Sequence, residues 1–321
     1  MAQHMSSGSN KSFSTLQHLL QLAYSGEEDE QEMAARELAK LVEGVSFPSV
    51  SFGPLVHALC RLVSSANLDV TIHAARAIKW LILDDALRPQ ANLAGAAMII
   101  CDAVKHWEDE AKCLSELLGA LQTLCWDKQC VRSVLQAEVV HLLLDYMQAS
   151  DQEVSVLALS TIANILSFSD TLLLQDARAI DSLRPAIPLL LEINRNAFER
   201  PQSFYSAAAI ANAAAHPTLA SCLKKEGGME VCRDLVSRAE QNLHILGSRI
   251  SDCAQTALYI LSEGVEGEEE KASEKYRFKW GTRPAMQLKL ATATRHGRLL
   301  MGCLIVWLLL VLYTFNPLLF G

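Results

Sequence analysis

Six short stretches of this chain repeat one pattern, small residues followed by an apolar pair three positions apart. They read AARELAKL (Leu38, Leu41), AARAIKWL (Ile78, Leu81), LLGALQTL (Leu121, Leu124), ALSTIANI (Ile162, Ile165), AAAIANA (Ile210, Ala213) and AQTALYIL (Leu258, Leu261). The first members of successive pairs are 40, 43, 41, 48 and 48 residues apart. Residues three apart share a helix face, so each stretch offers one apolar stripe. A repeat of this length, with only helical patterns between its copies, specifies an all-α helical solenoid of about six repeats. Each unit has too little core to stand alone and buries its stripe against the next, and alanine lets the stacked helices close up.

The rest of the chain agrees with a helical array. Half of the residues are apolar, only 6% are aromatic, and Gly and Pro are scarce, a balance that favours helices over sheets. Further amphipathic segments fall between the repeats, such as LVHALCRLV with Leu55, Leu59, Leu62 and Val63 on one face, and VVHLLLDYM. In HPTLASCLKKEGGMEVCRDLV the Gly227-Gly228 pair separates two helical patterns, as a helix end followed by a tight turn requires. The nine cysteines are scattered, odd in number and without CxxC spacing, which predicts reduced thiols buried on helices. Cys125 and Cys130 flank WDKQ without a His or second pair to complete a zinc site. No metal and no cofactor is expected.

These periodic helices, with EVSVLALSTIANIL and SFYSAAAIANAAAHPTLASCLKKEGGMEVCRDL, resemble the armadillo family over residues 15–262. The motifs are degenerate, and HEAT-type units share the period. The resemblance implies a right-handed solenoid with a groove lined by the third helix of each repeat, in which a partner lies as an extended peptide. In peptide-binding members a ladder of Asn clamps the ligand backbone, often with Trp one turn earlier. Here Asn164 and Asn212 stand at the Asn position, while the other repeats hold Lys40, Trp80, Thr123 and Ile260 there. The preceding Trp positions hold Ser160 and Ala208, so the pattern departs from that of a nuclear-import receptor. Asn164 and Asn212 therefore face two readings, groove rungs or satisfied partners of a neighbouring helix or loop carbonyl. Trp80 likewise faces two, core or ligand platform, with Arg76 one turn earlier keeping that face partly polar. His216 is expected in a loop, and Glu27–Glu30 and Glu266–Glu270 in solvated linkers.

The other strong signal is at the end. Leu299–Phe315 runs 17 residues without a charge, and a helix of that length spans roughly 26 Å, close to a thin bilayer. It is apolar on every face, unlike a helix packed on a globular domain. Eight Lys or Arg precede it from residue 271 on and none follows, which orients the N-terminal bulk to the cytosol. A glycolipid-anchor signal would need an N-terminal signal peptide, which the first 20 residues do not resemble. Residues 299–321, with Leu299, Leu300, Ile305, Trp307, Leu310 and Phe315, are thus expected to be a transmembrane tail anchor. Residues 1–14 are expected to be a flexible N-terminus, and residues 263–298 an acidic then basic linker. Within that linker Lys275, Arg277 and Lys279 alternate with Tyr276, Phe278 and Trp280, placing cations and aromatic rings where a membrane interface would take them. The alternative is a segment packed on the last repeat. The strong hydrophobicity and missing basic flank favour the endoplasmic reticulum, with the mitochondrial outer membrane as the alternative.

Charge narrows the function. The net charge is −8, and residues 271–298 carry eight basic and one acidic residue, so the remainder is near −15 and lacks the basic footprint of a nucleic-acid binder. No phosphate loop, dinucleotide fingerprint, HExxH or GxSxG occurs, so no enzyme and no small-molecule substrate is expected. The leading expectation is a tail-anchored adaptor that brings cytosolic or membrane-associated proteins to an organelle surface. It also contacts lipid through its tail and basic linker. The alternatives are a regulator of nucleotide exchange on Hsp70 chaperones and a structural subunit of a membrane complex.

Overall fold

The computed structural model describes residues 6–44, 53–168, 176–196, 198, 200–241 and 245–263. Every regular element among them is a helix. The first two units are helix pairs, α1 (Ser6–Ala23) with α2 (Glu28–Gly44) and α3 (Gly53–Val63) with α4 (Leu68–Leu81). Four three-helix units follow. They are α5 (Arg88–Leu93), α6 (Ala96–His106) and α7 (Ala111–Leu124), then α8 (Lys128–Gln136), α9 (Val140–Tyr146) and α10 (Gln152–Leu166). The last two are α11 (Ala177–Leu183), α12 (Ala186–Asn196) and α13 (Pro201–Ala214), then α14 (Pro217–Lys225), α15 (Gly228–Gln241) and α16 (Ile245–Glu263). The basic linker with Lys275–Trp280 and the apolar run beyond it lie outside the described residues. No helix of the described residues is long and apolar enough to cross a membrane.

The six repeated stretches fall on the last helix of each unit, and these pack in order, α2 on α4, α4 on α7, α7 on α10, α10 on α13 and α13 on α16. Of the twelve paired apolar positions all but Leu41 and Leu258 are buried, each large side chain stabilising by about 1.5–3 kcal/mol. Leu258 is half-exposed because no further third helix covers α16 among the described residues. The same stripe of α16 carries Ser251, Gln255 and Ser262, with Gln255 Nε2 donating to Ser251 Oγ at 3.2 Å. A polar outer face is what the last unit of a stack needs.

Helix starts are set locally. The side chains of Asn67, Asp127, Asp151 and Asp176 each accept from backbone N–H groups of the turn they cap, at 2.8–3.1 Å, worth about 1 kcal/mol apiece. The acidic cluster expected in a linker is instead structural. Glu28, Asp29 and Glu30 form the first turn of α2, where negative charge complements the helix dipole, and Glu28 Oε1 accepts from Asn67 Nδ2 at 2.6 Å. The first helix also starts at Ser6, earlier than the boundary expected near residue 15. His216 lies, as expected, in the short connection after α13, where it is the N-cap residue of α14 and is 1% exposed.

Two details recur with the repeat. Seven residues before the first apolar member, a polar side chain of the third helix reaches back to the end of the helix before it. Gln31 Nε2 donates to the Ser25 carbonyl at 2.8 Å, Thr71 Oγ1 to that of Ser65 at 3.2 Å, and Ser155 Oγ to that of Met147 at 2.8 Å. Ser203 Oγ donates to Asn194 Oδ1 at 3.0 Å, within a buried network where Asn194 Nδ2 and Ser206 Oγ both bond the Leu190 carbonyl. The junction between the first and second helices holds a positive φ in three units, at Gly95 (71°), Glu138 (55°) and Gly227 (79°). At the last, Gly228 is also required, because a Cβ there would sit 2.8 Å from the Leu223 carbonyl oxygen.

Candidate partner-binding face

The third helices share one outward face. Its residues lie five before, two before and two after the first apolar member of each pair. From α2 to α13 the first set is Met33, His73, Glu116, Leu157 and Tyr205, all exposed or half-buried, and on α16 it is the buried Cys253. The second runs Arg36, Arg76, Gly119, Ser160 and Ala208, and the third Lys40, Trp80, Thr123, Asn164 and Asn212. Along both of these sets exposure falls from α2 to α13: Arg36 and Lys40 are exposed, Arg76 and Trp80 half-buried, and the next three of each set buried, whereas Thr256 and Ile260 on α16 are half-buried again. The face is therefore charged and open at α2 and α4, and closed and built of small residues at α10 and α13.

Different chemistry ties the two ends together. Between α4 and α7, Glu116 accepts from two cations. Arg76 reaches its Oε1 at 2.7 Å through Nη2 and at 2.8 Å through Nε, and Lys79 Nζ lies 2.5 Å from its Oε2. Burial pushes the Glu116 pKa up, but the Lys79 charge and the hydrogen bonds from Lys79 and Arg76 outweigh it and hold the carboxyl below its ordinary range. The Lys79 stem crosses Gly119, where an added Cβ would meet Lys79 Cδ at 2.7 Å. Glycine in mid-helix costs about 0.5–1 kcal/mol relative to alanine, and here it opens the lane for this side chain.

Between the later helices the links are amides. Asn164 Nδ2 donates to the Gln122 carbonyl at 3.0 Å and Asn212 Nδ2 to the Ala163 carbonyl at 2.9 Å. Each Asn is 5% exposed. Both therefore bond a neighbouring helix, and each spends one amide proton that a ligand clamp would use. Trp80 stands beside the ionic cluster, half-buried. The structure thus gathers Trp80 with Arg76 and Lys79 of its own helix, while Asn164 and Asn212 belong to the amide end. Sequence reasoning missed Glu116, Lys79 and Gly119. The available signal was that Glu116 follows Arg76 by 40 residues, one helical turn short of the 43-residue repeat at this step.

No metal-ligating group of three or more His, Cys, Asp or Glu occurs among the described residues. The eight described cysteines are free, and all but Cys222 are buried. Burial pushes the thiols of Cys60, Cys101, Cys113, Cys130 and Cys232 up to about 12, far from nucleophilic use.

No model of a known protein family and no curated protein matches the sequence. Solved structures do match. A computationally designed armadillo repeat protein for modular peptide recognition superposes with a TM-score of 0.62 at 19% identity, covering 76% of this chain and 99% of its own. The fold is that of an armadillo solenoid. A designed armadillo repeat protein in complex with the peptide (KR)4 aligns with a TM-score of 0.60 at 18% identity, over 76% of this chain and 99% of its own. A structure from work on the interaction between cadherin and beta-catenin aligns at 0.63 and 17% identity, over 83% of this chain and 48% of its own. In this armadillo solenoid the outward face of α2, α4, α7, α10, α13 and α16 is the surface common to every repeat.

Proposed function

We propose that this protein is an armadillo-fold adaptor. Its third-helix face captures a protein partner, and its C-terminal apolar run holds it at an organelle membrane, the endoplasmic reticulum in the first instance. The observation that carries the capture is the open end of the face. Trp80, Arg36, Lys40 and Met33 leave accessible surface there, whereas the core beneath them is closed. An aromatic ring beside cations is the composition of a binding hot spot. The designed neighbours that recognise peptides on the same fold support this reading, and the charge asymmetry around residues 299–315 supports the tether. Tethering raises the effective concentration of any partner that also touches the membrane.

Two experiments test it. In cells, proximity labelling from the N-terminus compares the full chain, a chain ending at Ser262, and a Trp80→Ala/Lys40→Glu variant. A partner set kept on truncation and lost in the variant is expected; loss on truncation alone would transfer recognition to the membrane segment and overturn the groove reading. For the tether, an N-glycosylation acceptor appended after Gly321 is expected to be modified. An unmodified acceptor on a carbonate-resistant protein would move it to the mitochondrial outer membrane.

A further inference from the structure

Taking the third-helix face as the partner site proposed above, we infer that Arg76 and Lys79 form an anion-accepting position for an acidic peptide segment that lies beside Trp80. The chain as a whole is acidic, yet this part of the face is not. Arg36 is paired with Glu32 at 3.5 Å and Lys40 with Glu37 at 2.6 Å, so those exposed pairs cancel. At the next step two cations share the single carboxylate of Glu116, which leaves one positive charge over. Their side chains retain 32% and 25% exposure, against 13% for Glu116, so the cations stand outermost and the acid beneath them.

Glu116 already demonstrates what the pair accepts, a carboxylate taken by a guanidinium and an ammonium together. An incoming Asp or Glu competes with Glu116 for donors that are not all committed, since a guanidinium has five N–H groups and an ammonium three. Such charge-assisted bonds are the strong class. Around the pair stand His73, one turn before Arg76 on α4, and on α2 Arg36 and Glu32. Asp69 lies at the start of α4. Trp80 supplies the apolar wall. Glu32 and Glu37, the α2 carboxylates on this part of the face, are paired with Arg36 and Lys40 of their own helix, so the cation in excess beside Trp80 is at Arg76 and Lys79.

The test uses the full chain in a zwitterionic detergent and three fluorescent 12-residue probes: Asp/Glu-rich, Gly/Ser-rich and Lys/Arg-rich. Because the basic stretch 271–298 also attracts acids, the readout is the difference between variants that leave it intact. Arg76→Gln is expected to weaken the acidic probe by about tenfold, and Glu116→Gln, which removes the internal competitor, to tighten it by a similar factor. Both effects shrink with added salt. A purely structural cluster would give weakening in both variants, and that result overturns the inference, as does an acidic probe indifferent to both. If the neutral or basic probe binds and is lost with Trp80→Ala, the groove reading stands without acidic selectivity. If no probe responds to any of the three substitutions, both readings fall. Circular dichroism melting of each variant excludes unfolding as the cause.

Discussion

Asn212 on α13 and Ala163 on α10, 49 residues apart in sequence, are joined by a single 2.9 Å hydrogen bond from amide to carbonyl. One repeat earlier, Asn164 makes the same bond to Gln122. The residues that an armadillo comparison would assign to ligand are thus cross-links of the scaffold.

Replacing Asn212 by Ala removes one of two bonds to the Ala163 carbonyl, which keeps the Ser167 N–H at 3.1 Å. The expected loss is about 0.5–1.5 kcal/mol, seen as a lower urea midpoint, with Asn164→Ala behaving alike. Because repeats can unfold separately, hydrogen exchange should place the loss at α10–α13. An unchanged midpoint in both variants would show that water replaces these bonds at no cost.

Gly119 and Lys79 should couple. In the native sequence Gly119→Ala must displace the lysine stem. With Lys79→Ala already present the same change is expected to stabilise by about 0.5–1 kcal/mol, as alanine does in an ordinary helix interior. A double-mutant cycle measures the difference; equal effects in the two backgrounds would deny the contact.

Glu138 is the non-glycine residue with positive φ among the described residues. Glu138→Gly is expected to raise stability by about 0.5–1 kcal/mol, since the left-handed conformation costs an L-residue roughly 1–2 kcal/mol and glycine gives part back as unfolded-state entropy. Thermal melting reads it directly, and Gly95→Ala should move the other way.

Acid should loosen the α4–α7 contact through Glu116. Its folded pKa lies below the ordinary value of 4.5, so its contribution is complete above the unfolded pKa and disappears as pH falls through the folded one. Stability measured at pH 7 and at pH 3 should therefore differ less in Glu116→Gln than in the native chain. An identical pH dependence would mean the carboxylate gains nothing from its two cations.

The stacking was legible because it rests on periodicity: small residues and paired apolar positions recur wherever one helix meets the next. The corner bonds of Gln31, Thr71, Ser155 and Ser203 follow the same period but use different residue types, so only a count of positions, not of identities, reveals them. Whether Asn164 points to a ligand or to Gln122 depends on side-chain rotamer and the stagger of neighbouring helices, neither of which a sequence pattern contains. Glu138 gave no sign at all. Its partners Gly95 and Gly227 announce their turns by composition, and a glutamate does not.

Among the described residues each third helix packs on the third helices before and after it. A pull on the C-terminal end enters the array at α16, whose contacts with α13 and α15 stand nearest to it. The ionic step at α4–α7 lies three such interfaces further in, so the charged part of the face keeps its shape when the array opens from its C-terminal end.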